Sequence, residues 1–426
     1  MLLIPYRWAT LEGGTPWTVA VQTACTARTR AATLTTMTTG RRHRVVFGQN
    51  DRMDRNAVVQ ELLDAQVARG TQIGCQVAAY LHGEKIIDAA AGTRGPGDDR
   101  PVEQDSLFLS FSCTKGPSST VVQQLVDLGV IDNEAPVATY WPEFAQNGKD
   151  RITIAQAMSH QAGLHALQPN LRKENLLDWD AGLAWVAGGT PAWEPGTATG
   201  YHAFTFGWIV GGIVQGATGR HISEVMRTEI AEPLGVADEF YLGLPDEPSV
   251  VDRLTTLELV PAGDGLPIPD DTPFYEAMPK SLWQYFNDLD VRMACMPGAN
   301  GHFTARALAK MYGALADGGG PLVSPAAIAE MARLRSDRVD RVLMAPIRRS
   351  VGFTLGGVGP DPQGTIIHGL LGPRESAFGH GGAGGSVGFA DPEIGLGVAV
   401  TRNKMTYPAP GRGATQEICD LVRSLV

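Results

Sequence analysis

Short apolar segments separated by turn residues occur near both ends of the folded part of the chain. Residues 74–81 and 86–91 flank His82-Gly83-Glu84-Lys85, a pattern that predicts an antiparallel β-hairpin. A second hairpin is predicted where residues 386–390 and 396–401 flank a turn. Strands are therefore expected at both ends of the folded region.

Elsewhere the apolar residues recur mainly with the spacing of amphipathic helices. Helices are predicted at residues 55–63, 121–128, 154–160, 176–186, 204–214, 222–230, 304–316 and 414–425. Together these elements predict an α+β fold, in which one antiparallel sheet formed from both chain ends is flanked by helices and carries a mostly helical inserted domain. We expect residues 51–140 and 340–426 to form the sheet domain, residues 141–339 to form the helical domain, and a site to lie in the cleft between them.

Composition limits the classes of function. The 426 residues are 43% hydrophobic and 19% charged, which is typical of a globular protein with a sizeable core. The net charge of -10 argues against a nucleic-acid partner, because phosphate binding needs a basic face. No apolar run approaches the length of a bilayer span, so no membrane partner is expected.

The cysteines and the N-terminal segment bear on the compartment and on the start of the fold. Five cysteines without close spacing predict neither a disulfide framework nor a zinc site, and free thiols favour a cytoplasmic location.

Residues 1–50 are rich in threonine and arginine, with Glu12 as the single acid. We interpret them as a disordered or non-native extension, with Met37 or Met53 as alternative starts.

The first candidate for chemistry is Ser112-Cys113-Thr114-Lys115, between an apolar segment and a predicted helix. Residues three apart share one helix face, so the amine of Lys115 could take the proton of the Ser112 hydroxyl. Of the seven lysines, this one alone has a serine three positions earlier. The alternative is an ordinary helix start, with Ser112 as N-cap and Lys115 as a solvated charge.

Tyr201-His202-Ala203 is the second candidate, because it follows a loop and precedes a helix. A phenol near a lysine ammonium loses its proton more easily and could act as a base or relay. The alternative is a tyrosine that anchors the loop. His160 is interpreted as structural, and no pair of histidines has the spacing of a metal site, so no metal or other cofactor is expected.

The third candidate is His380-Gly381-Gly382-Ala383, where glycines allow backbone to approach a ligand and N–H groups could face an oxyanion. The alternative is a glycine-rich strand packed tightly on a helix. The following Gly384-Gly385-Ser386-Val387-Gly388 matches the G-x-S-x-G nucleophile elbow. That motif needs a helix after the serine and a histidine downstream, whereas a strand is predicted here and no histidine follows His380.

Taken together, the motifs at Ser112-x-x-Lys115, at Tyr201 and at residues 380–382 resemble those of the serine β-lactamase and penicillin-recognising superfamily. Residues 158–164 and 301–306 are similar to framework segments of that superfamily. The resemblance is strongest to class C β-lactamases and to the family VIII carboxylesterases of the same fold.

Departures from the class C pattern change the substrate that the resemblance implies. Ala203 stands in place of the asparagine of the second motif, His380 in place of the lysine of the third, and Gly381 in place of its threonine. These changes remove polar groups that would hold the amide and the acid of a β-lactam. With the serine, lysine and tyrosine retained, the resemblance implies a family VIII type of esterase.

The resemblance therefore implies a serine carboxylesterase that hydrolyses short-chain carboxylic esters, a small-molecule substrate, through an acyl-enzyme on Ser112. Lys115 is expected to accept the proton of the serine, and Tyr201, paired with Lys115, to protonate the leaving group. The N–H groups of Ser112 and Ala383 are expected to form the oxyanion hole. His380, Gly381 and Gly382 are expected to contact the substrate.

Two alternatives stay open at this point. One is a class C-like β-lactamase or D-alanyl peptidase, which would use the same residues on an amide. The other is a catalytically silent scaffold of the same fold, against which the intact serine, lysine and tyrosine argue. The sequence does not predict the oligomeric state.

Overall fold

The computed structural model describes residues 54–169, 171–261, 263–264, 268–360, 364–408 and 411–426. The extension expected at residues 1–50 lies outside the described residues. The strands are β1 (Gly74–Leu81), β2 (Glu84–Gly95), β3 (Asp98–Pro101), β4 (Phe108–Leu109), β5 (Phe240–Leu242), β6 (Gly301–Phe303), β7 (Thr354–Leu355), β8 (Val358–Pro360), β9 (Ile366–His368), β10 (Phe378–Gly381), β11 (Val387–Asp391) and β12 (Leu396–Arg402).

The α-helices are α1 (Arg55–Ala68), α2 (Lys115–Asp127), α3 (Ile154–Met158), α4 (Lys173–Leu177), α5 (Trp179–Gly188), α6 (Thr205–Thr218), α7 (Ile222–Met226), α8 (Pro248–Val251), α9 (Pro273–Ala277), α10 (Leu289–Met293), α11 (Ala305–Ala316), α12 (Pro325–Met331) and α13 (Ala414–Ser424). Short 3-10 turns occur at Phe111–Thr114, Val137–Thr139, Pro142–Ala145, Lys280–Tyr285 and Ala383–Gly385. Among these described helices, none is long and apolar enough to cross a membrane.

The main sheet has seven strands in the order β3-β2-β1-β12-β11-β10-β7. Both predicted hairpins are present, β1 with β2 and β11 with β12. The two chain ends meet where β1 pairs antiparallel with β12, in a register that sets Cys75 opposite Arg402. The predicted α+β fold with a sheet formed from both chain ends is confirmed. The division between domains at residues 141–339 stays a prediction.

Helices cover both faces of this sheet because successive strand residues point to opposite sides. On one side, α1 and α13 enclose an apolar cluster that includes Val59, Val77, Val398, Ile418 and Val422. On the other side, α11 packs against β1 and β12, and a larger cluster continues into the helical part. A Cβ atom at Gly397 would lie 2.1 Å from the amide nitrogen of Gly313, so glycine at this position of β12 allows α11 to approach closely.

Several predicted helices differ in extent from the observed ones, and three of them are divided or end early. The helix predicted at residues 176–186 is two helices, because Asp178 is extended and its side chain accepts the Ala181 amide as the N-cap of α5. In the segment predicted as a helix at residues 222–230, α7 ends at Met226 and a π-helical turn follows. The helix predicted at residues 154–160 ends at Met158, and His160 has a left-handed φ of 63°.

Candidate active site

The segment that carries Ser112 changes from strand to helix within a few residues. β4 ends at Leu109, a 3-10 turn follows, and α2 begins at Lys115. Phe111 has a φ of 45°, which is uncommon for a residue with a side chain, and its ring packs 5.0 Å from that of Phe286. This sharp turn places Ser112 at the N-terminal end of α2, in the wall of a cavity.

Lys115 is fully buried, and its Nζ has three close oxygen neighbours. The distances are 2.6 Å to the Ala203 carbonyl oxygen, 2.7 Å to the Gly298 carbonyl oxygen and 3.1 Å to Ser112 Oγ. Burial, together with the positive charge of Arg349, holds the pKa of Lys115 well below its usual value. As a neutral amine, Lys115 donates its two N–H groups to the carbonyls and turns its lone pair to the serine hydroxyl.

Tyr201 contacts the same serine from another side. Its buried phenol donates a hydrogen bond of 2.7 Å to Ser112 Oγ, and its ring centroid lies 4.9 Å from Lys115 Nζ. Burial raises the pKa of Tyr201. The prediction that a lysine ammonium would ease ionisation of the phenol is therefore wrong, since the lysine is itself driven towards the neutral amine. Tyr201 is a proton donor in this arrangement.

His380 lies on β10 with its ring stacked 6.1 Å from that of Tyr201. Its Nδ1 donates to the Gly381 carbonyl oxygen at 2.7 Å in the tautomer that satisfies this contact. Burial, with the nearby Lys115, holds the pKa of His380 well below its usual value, so the imidazole is neutral. Nε2 is buried without a hydrogen-bond partner in the described part of the chain and can only accept a hydrogen bond.

The glycines after His380 allow β10 to approach the nucleophile turn. A Cβ atom at Gly382 would lie 2.3 Å from the Ser110 carbonyl oxygen, so any larger residue would displace the backbone. Ala383 follows in a 3-10 turn and lines the cavity together with Ser112. Backbone from these two segments thus meets at one point of the cavity wall.

The cavity has a volume of about 460 Å³. Ser112, Tyr201, His380 and Ala383 line it, and most of the remaining wall is apolar. The apolar lining includes Phe111, Phe204, Met278, Trp283, Leu343, Ile347 and Leu355. In the part of the chain that the structure describes, no group of three or more His, Cys, Asp or Glu side chains could hold a metal ion. The arrangement suits nucleophilic attack by a hydroxyl on an apolar acyl compound.

Ser386 lies apart from this group. Its Oγ accepts the amide of Arg402 at 3.2 Å, it is buried, and β11 rather than a helix follows it. It is not among the residues that line the cavity. The structure thus brings Ser112, Lys115, Tyr201 and His380 together and leaves the G-x-S-x-G serine in the framework.

Sequence reasoning missed an ion pair beside the tyrosine. Asp340 and Arg349 are buried and their side chains are 2.7 Å apart, and Asp340 Oδ1 accepts the Tyr201 amide at 3.0 Å. His160, interpreted as structural, accepts the His202 amide at 3.0 Å and packs its ring 5.0 Å from that of Tyr201. No local motif marks the ion pair, because charged residues on a loop are ordinarily exposed.

Comparisons with known proteins agree with this geometry. Residues 59–422 match the family model described as Beta-lactamase. The chain is 34% identical over 351 residues to the "Esterase/beta-lactamase LipL" of Mycobacterium tuberculosis, an alignment that covers 79% of this chain and 78% of that protein. It is 25% identical over 231 residues to "Esterase EstB" of Burkholderia gladioli, covering 50% of this chain and 58% of that protein.

Two solved structures are similar over most of the chain. A crystal structure of a family VIII carboxylesterase has a TM-score of 0.77 and 35% sequence identity, covering 87% of this chain and 98% of the other. A penicillin-binding protein homologue from Caulobacter crescentus has a TM-score of 0.77 and 34% identity, covering 88% of this chain and 98% of the other.

Proposed function

The chain belongs to the beta-lactamase family of serine hydrolases, and we propose that it is a carboxylesterase that hydrolyses short-chain esters through an acyl-enzyme on Ser112. The observation that carries the proposal is the pair of contacts to one oxygen. Ser112 Oγ lies 3.1 Å from Lys115 Nζ and 2.7 Å from the Tyr201 hydroxyl. A base and an acid therefore meet at the nucleophile.

In the acylation step, Ser112 Oγ attacks the ester carbonyl carbon while its proton passes to the neutral amine of Lys115. The carbonyl oxygen gains the negative charge, and we assign its stabilisation to the backbone N–H groups of Ser112 and Ala383. When the tetrahedral intermediate collapses, the bond to the leaving oxygen breaks and Tyr201 gives its proton to the alkoxide. Lys115 then returns a proton to the phenolate, which restores both groups.

In the deacylation step, water takes the place of the alcohol. One of its protons passes to Lys115, directly or through Tyr201, while the water oxygen attacks the acyl carbon. The bond from the acyl carbon to Ser112 Oγ then breaks, and Lys115 returns the proton to that oxygen. Each group ends in its starting state, because every proton given up by one residue is regained from another.

The cavity supports an ester with an apolar acyl group. Its wall is mainly apolar, the His380 imidazole is neutral, and the guanidinium groups of Arg348 and Arg349, which also line it, are paired with Glu375 and Asp340. We assign contact with the acyl group to His380 and Gly381, which line the cavity, and to the adjacent Gly382. The Ala203 side chain offers no amide, although the Ala203 carbonyl holds Lys115. Apolar contact is expected to contribute about 0.8 kcal/mol for each buried CH2 of the substrate.

The test is Ser112→Ala on a short-chain p-nitrophenyl ester, with Ser386→Ala as a matched control. We expect Ser112→Ala to abolish hydrolysis and Ser386→Ala to retain it. A fluorophosphonate adduct mapped by mass spectrometry should fall on the peptide that contains Ser112. Activity that survives in Ser112→Ala but is lost in Ser386→Ala would contradict the proposal, as would an absence of labelling.

A β-lactamase or D-alanyl peptidase is the second candidate, since the relative from Mycobacterium tuberculosis is named both an esterase and a beta-lactamase. A nitrocefin assay beside an ester panel separates the two functions. We expect ester turnover to exceed cephalosporin turnover. Weak cephalosporin turnover would be compatible with an esterase, because both reactions use the same nucleophile. Cephalosporin turnover equal to ester turnover would favour the second candidate.

A further inference from the structure

The Asp340 carboxylate connects the tyrosine loop to the opposite wall of the cavity. Its Oδ1 accepts three backbone amides, from Tyr201 at 3.0 Å, Val342 at 2.9 Å and Leu343 at 2.8 Å. Its Oδ2 accepts the Arg349 guanidinium at 2.7 Å. A single carboxylate thus fixes the backbone of Tyr201 and the turn that carries Leu343, which lines the cavity.

Arg349 contacts the tyrosine a second time through its ring. The guanidinium carbon lies 5.2 Å from the centroid of the Tyr201 ring, within the range of a cation–π contact. The side chains of Asp340 and Arg349 are 0% and 2% exposed, so neither charge is solvated. A well-packed apolar pair often stabilises a protein as much as a buried ion pair does, so a contribution to stability does not by itself explain why charged residues occupy these two positions.

The charge of Arg349 also acts on Lys115. After desolvation, Arg349 is the largest cause that lowers the pKa of that amine. The carboxylate of Asp340 accepts a hydrogen bond from this guanidinium and offsets part of its charge. The pair therefore has a net electrostatic effect on the base as well as a geometric effect on the acid.

Other titratable groups around the amine carry no charge at neutral pH. Burial raises the pKa of the Cys113 thiol to about 12, and it raises the pKa of the Tyr201 phenol. The pKa values of His160 and His380 are held well below their usual range by burial. Asp340 and Arg349 form a buried charged pair in this neighbourhood, and the neighbouring Arg348, which also lines the cavity, is paired with Glu375.

We propose that Asp340 and Arg349 are positioning residues of the esterase reaction: the carboxylate holds the Tyr201 phenol against Ser112, and the guanidinium supplies a positive charge beside Lys115. The inference rests on the proposed function. It adds two residues that act through Tyr201 and Lys115, one of which, Arg349, also lines the cavity.

Opposite shifts in pH dependence are the signature that a merely structural role would not produce. Lys115 acts as a base when neutral, so kcat/KM rises with pH through the pKa of its amine. Arg349→Met removes a positive charge and leaves the carboxylate, which raises that pKa and moves the acidic limb to higher pH. Asp340→Asn leaves the positive charge uncompensated, which lowers the pKa and moves the limb to lower pH.

The experiment measures kcat, KM and the pH profile of kcat/KM on a short-chain ester for these two variants and for Arg349→Lys. We expect kcat to fall about 10- to 100-fold in Asp340→Asn and Arg349→Met with KM little changed, because misplacement of the acid affects chemistry more than binding. Arg349→Lys keeps the charge and should keep the wild-type limb. Glu330→Gln, which breaks a Glu330–Arg335 ion pair on the neighbouring segment, is the matched control and should change none of these values.

A second measurement does not depend on substrate. Amide hydrogen exchange of the peptide that contains Tyr201 should be faster in Asp340→Ala than in wild type, because the amide loses its acceptor. Acidic limbs that coincide with wild type, or that shift in the same direction, would overturn the inference, and so would unchanged exchange. Absence of ester turnover in the wild-type protein would instead overturn the proposed function, while the exchange measurement would still test the positioning of Tyr201.

Discussion

Removal of the Tyr201 hydroxyl should affect different esters to different extents. Tyr201→Phe keeps the ring between Lys115, Arg349 and His380 and deletes the 2.7 Å hydrogen bond to Ser112 Oγ. A leaving alkoxide of an alkyl ester needs a proton to depart, whereas p-nitrophenolate leaves without one. The phenol should therefore matter most where the leaving group is the stronger base.

The expected losses in kcat/KM follow from the interaction that the substitution removes. A hydrogen bond from a neutral phenol contributes about 0.5–1.5 kcal/mol, and about 1.4 kcal/mol corresponds to a factor of ten in rate. Loss of this contact alone predicts at most about a tenfold fall in kcat/KM, which we expect for a p-nitrophenyl ester. General-acid catalysis is typically worth about 100- to 10,000-fold, so an alkyl ester should lose at least about 100-fold.

The assay compares p-nitrophenyl butyrate with ethyl butyrate, followed by pH-stat, so that both substrates give the same acyl-enzyme. Tyr407→Phe is the matched control, because its partly buried hydroxyl donates to the Val260 carbonyl oxygen outside the catalytic group. It should leave both esters unaffected. Equal losses on the two esters in Tyr201→Phe would refute the assignment of the phenol as general acid.

Three further predictions test the base, the strand and the framework. Lys115→Met should lower kcat/KM at least about 100-fold. Because the pKa of Lys115 in the folded state is depressed below 10.5, the unfolding free energy of wild type, measured by denaturant titration, should rise relative to that of the variant between neutral pH and pH 10.5. Parallel profiles of unfolding free energy against pH for the two proteins would contradict this. Gly382→Ala should cost about 1–3 kcal/mol of stability, since its Cβ meets the Ser110 carbonyl oxygen, and should reduce activity, whereas Gly188→Ala, with open space around its Cβ, should do neither. Thr304→Ala removes the N-cap of α11 and should lower the unfolding free energy by about 1–2 kcal/mol with kcat unchanged; an unchanged Tm would contradict it.

Most of the fold was predictable because its elements are encoded locally. Short apolar segments on either side of a turn identify β1 and β2, and the same pattern identifies β11 and β12. Helix continuity was less predictable, since the break at Asp178 depends on that side chain acting as a cap rather than as a solvated charge. The pairing of β1 with β12 followed from the distribution of strands along the chain rather than from any local signal.

The site was predictable where spacing along the chain carries the information. Ser112 and Lys115 share a helical turn, so their proximity follows from sequence separation alone. The contact between Tyr201 and Ser112 depends on tertiary packing, and the direction of its proton depends on burial that no sequence position reveals. The roles of Asp340 and Arg349 were hidden for the same reason, because a buried ion pair is indistinguishable in sequence from two surface charges.

The position of β12 between β1 and β11 has a consequence for the order of events during synthesis. The nucleophile turn at Ser112 is made long before the ribosome reaches β12, and until then the β1–β2 hairpin has an unpaired strand edge. Insertion of β12 closes that edge and joins the strands on either side of it. We therefore expect nascent chains that stop before β12 to be inactive and prone to association, so that hydrolysis begins only when the last strand has been added.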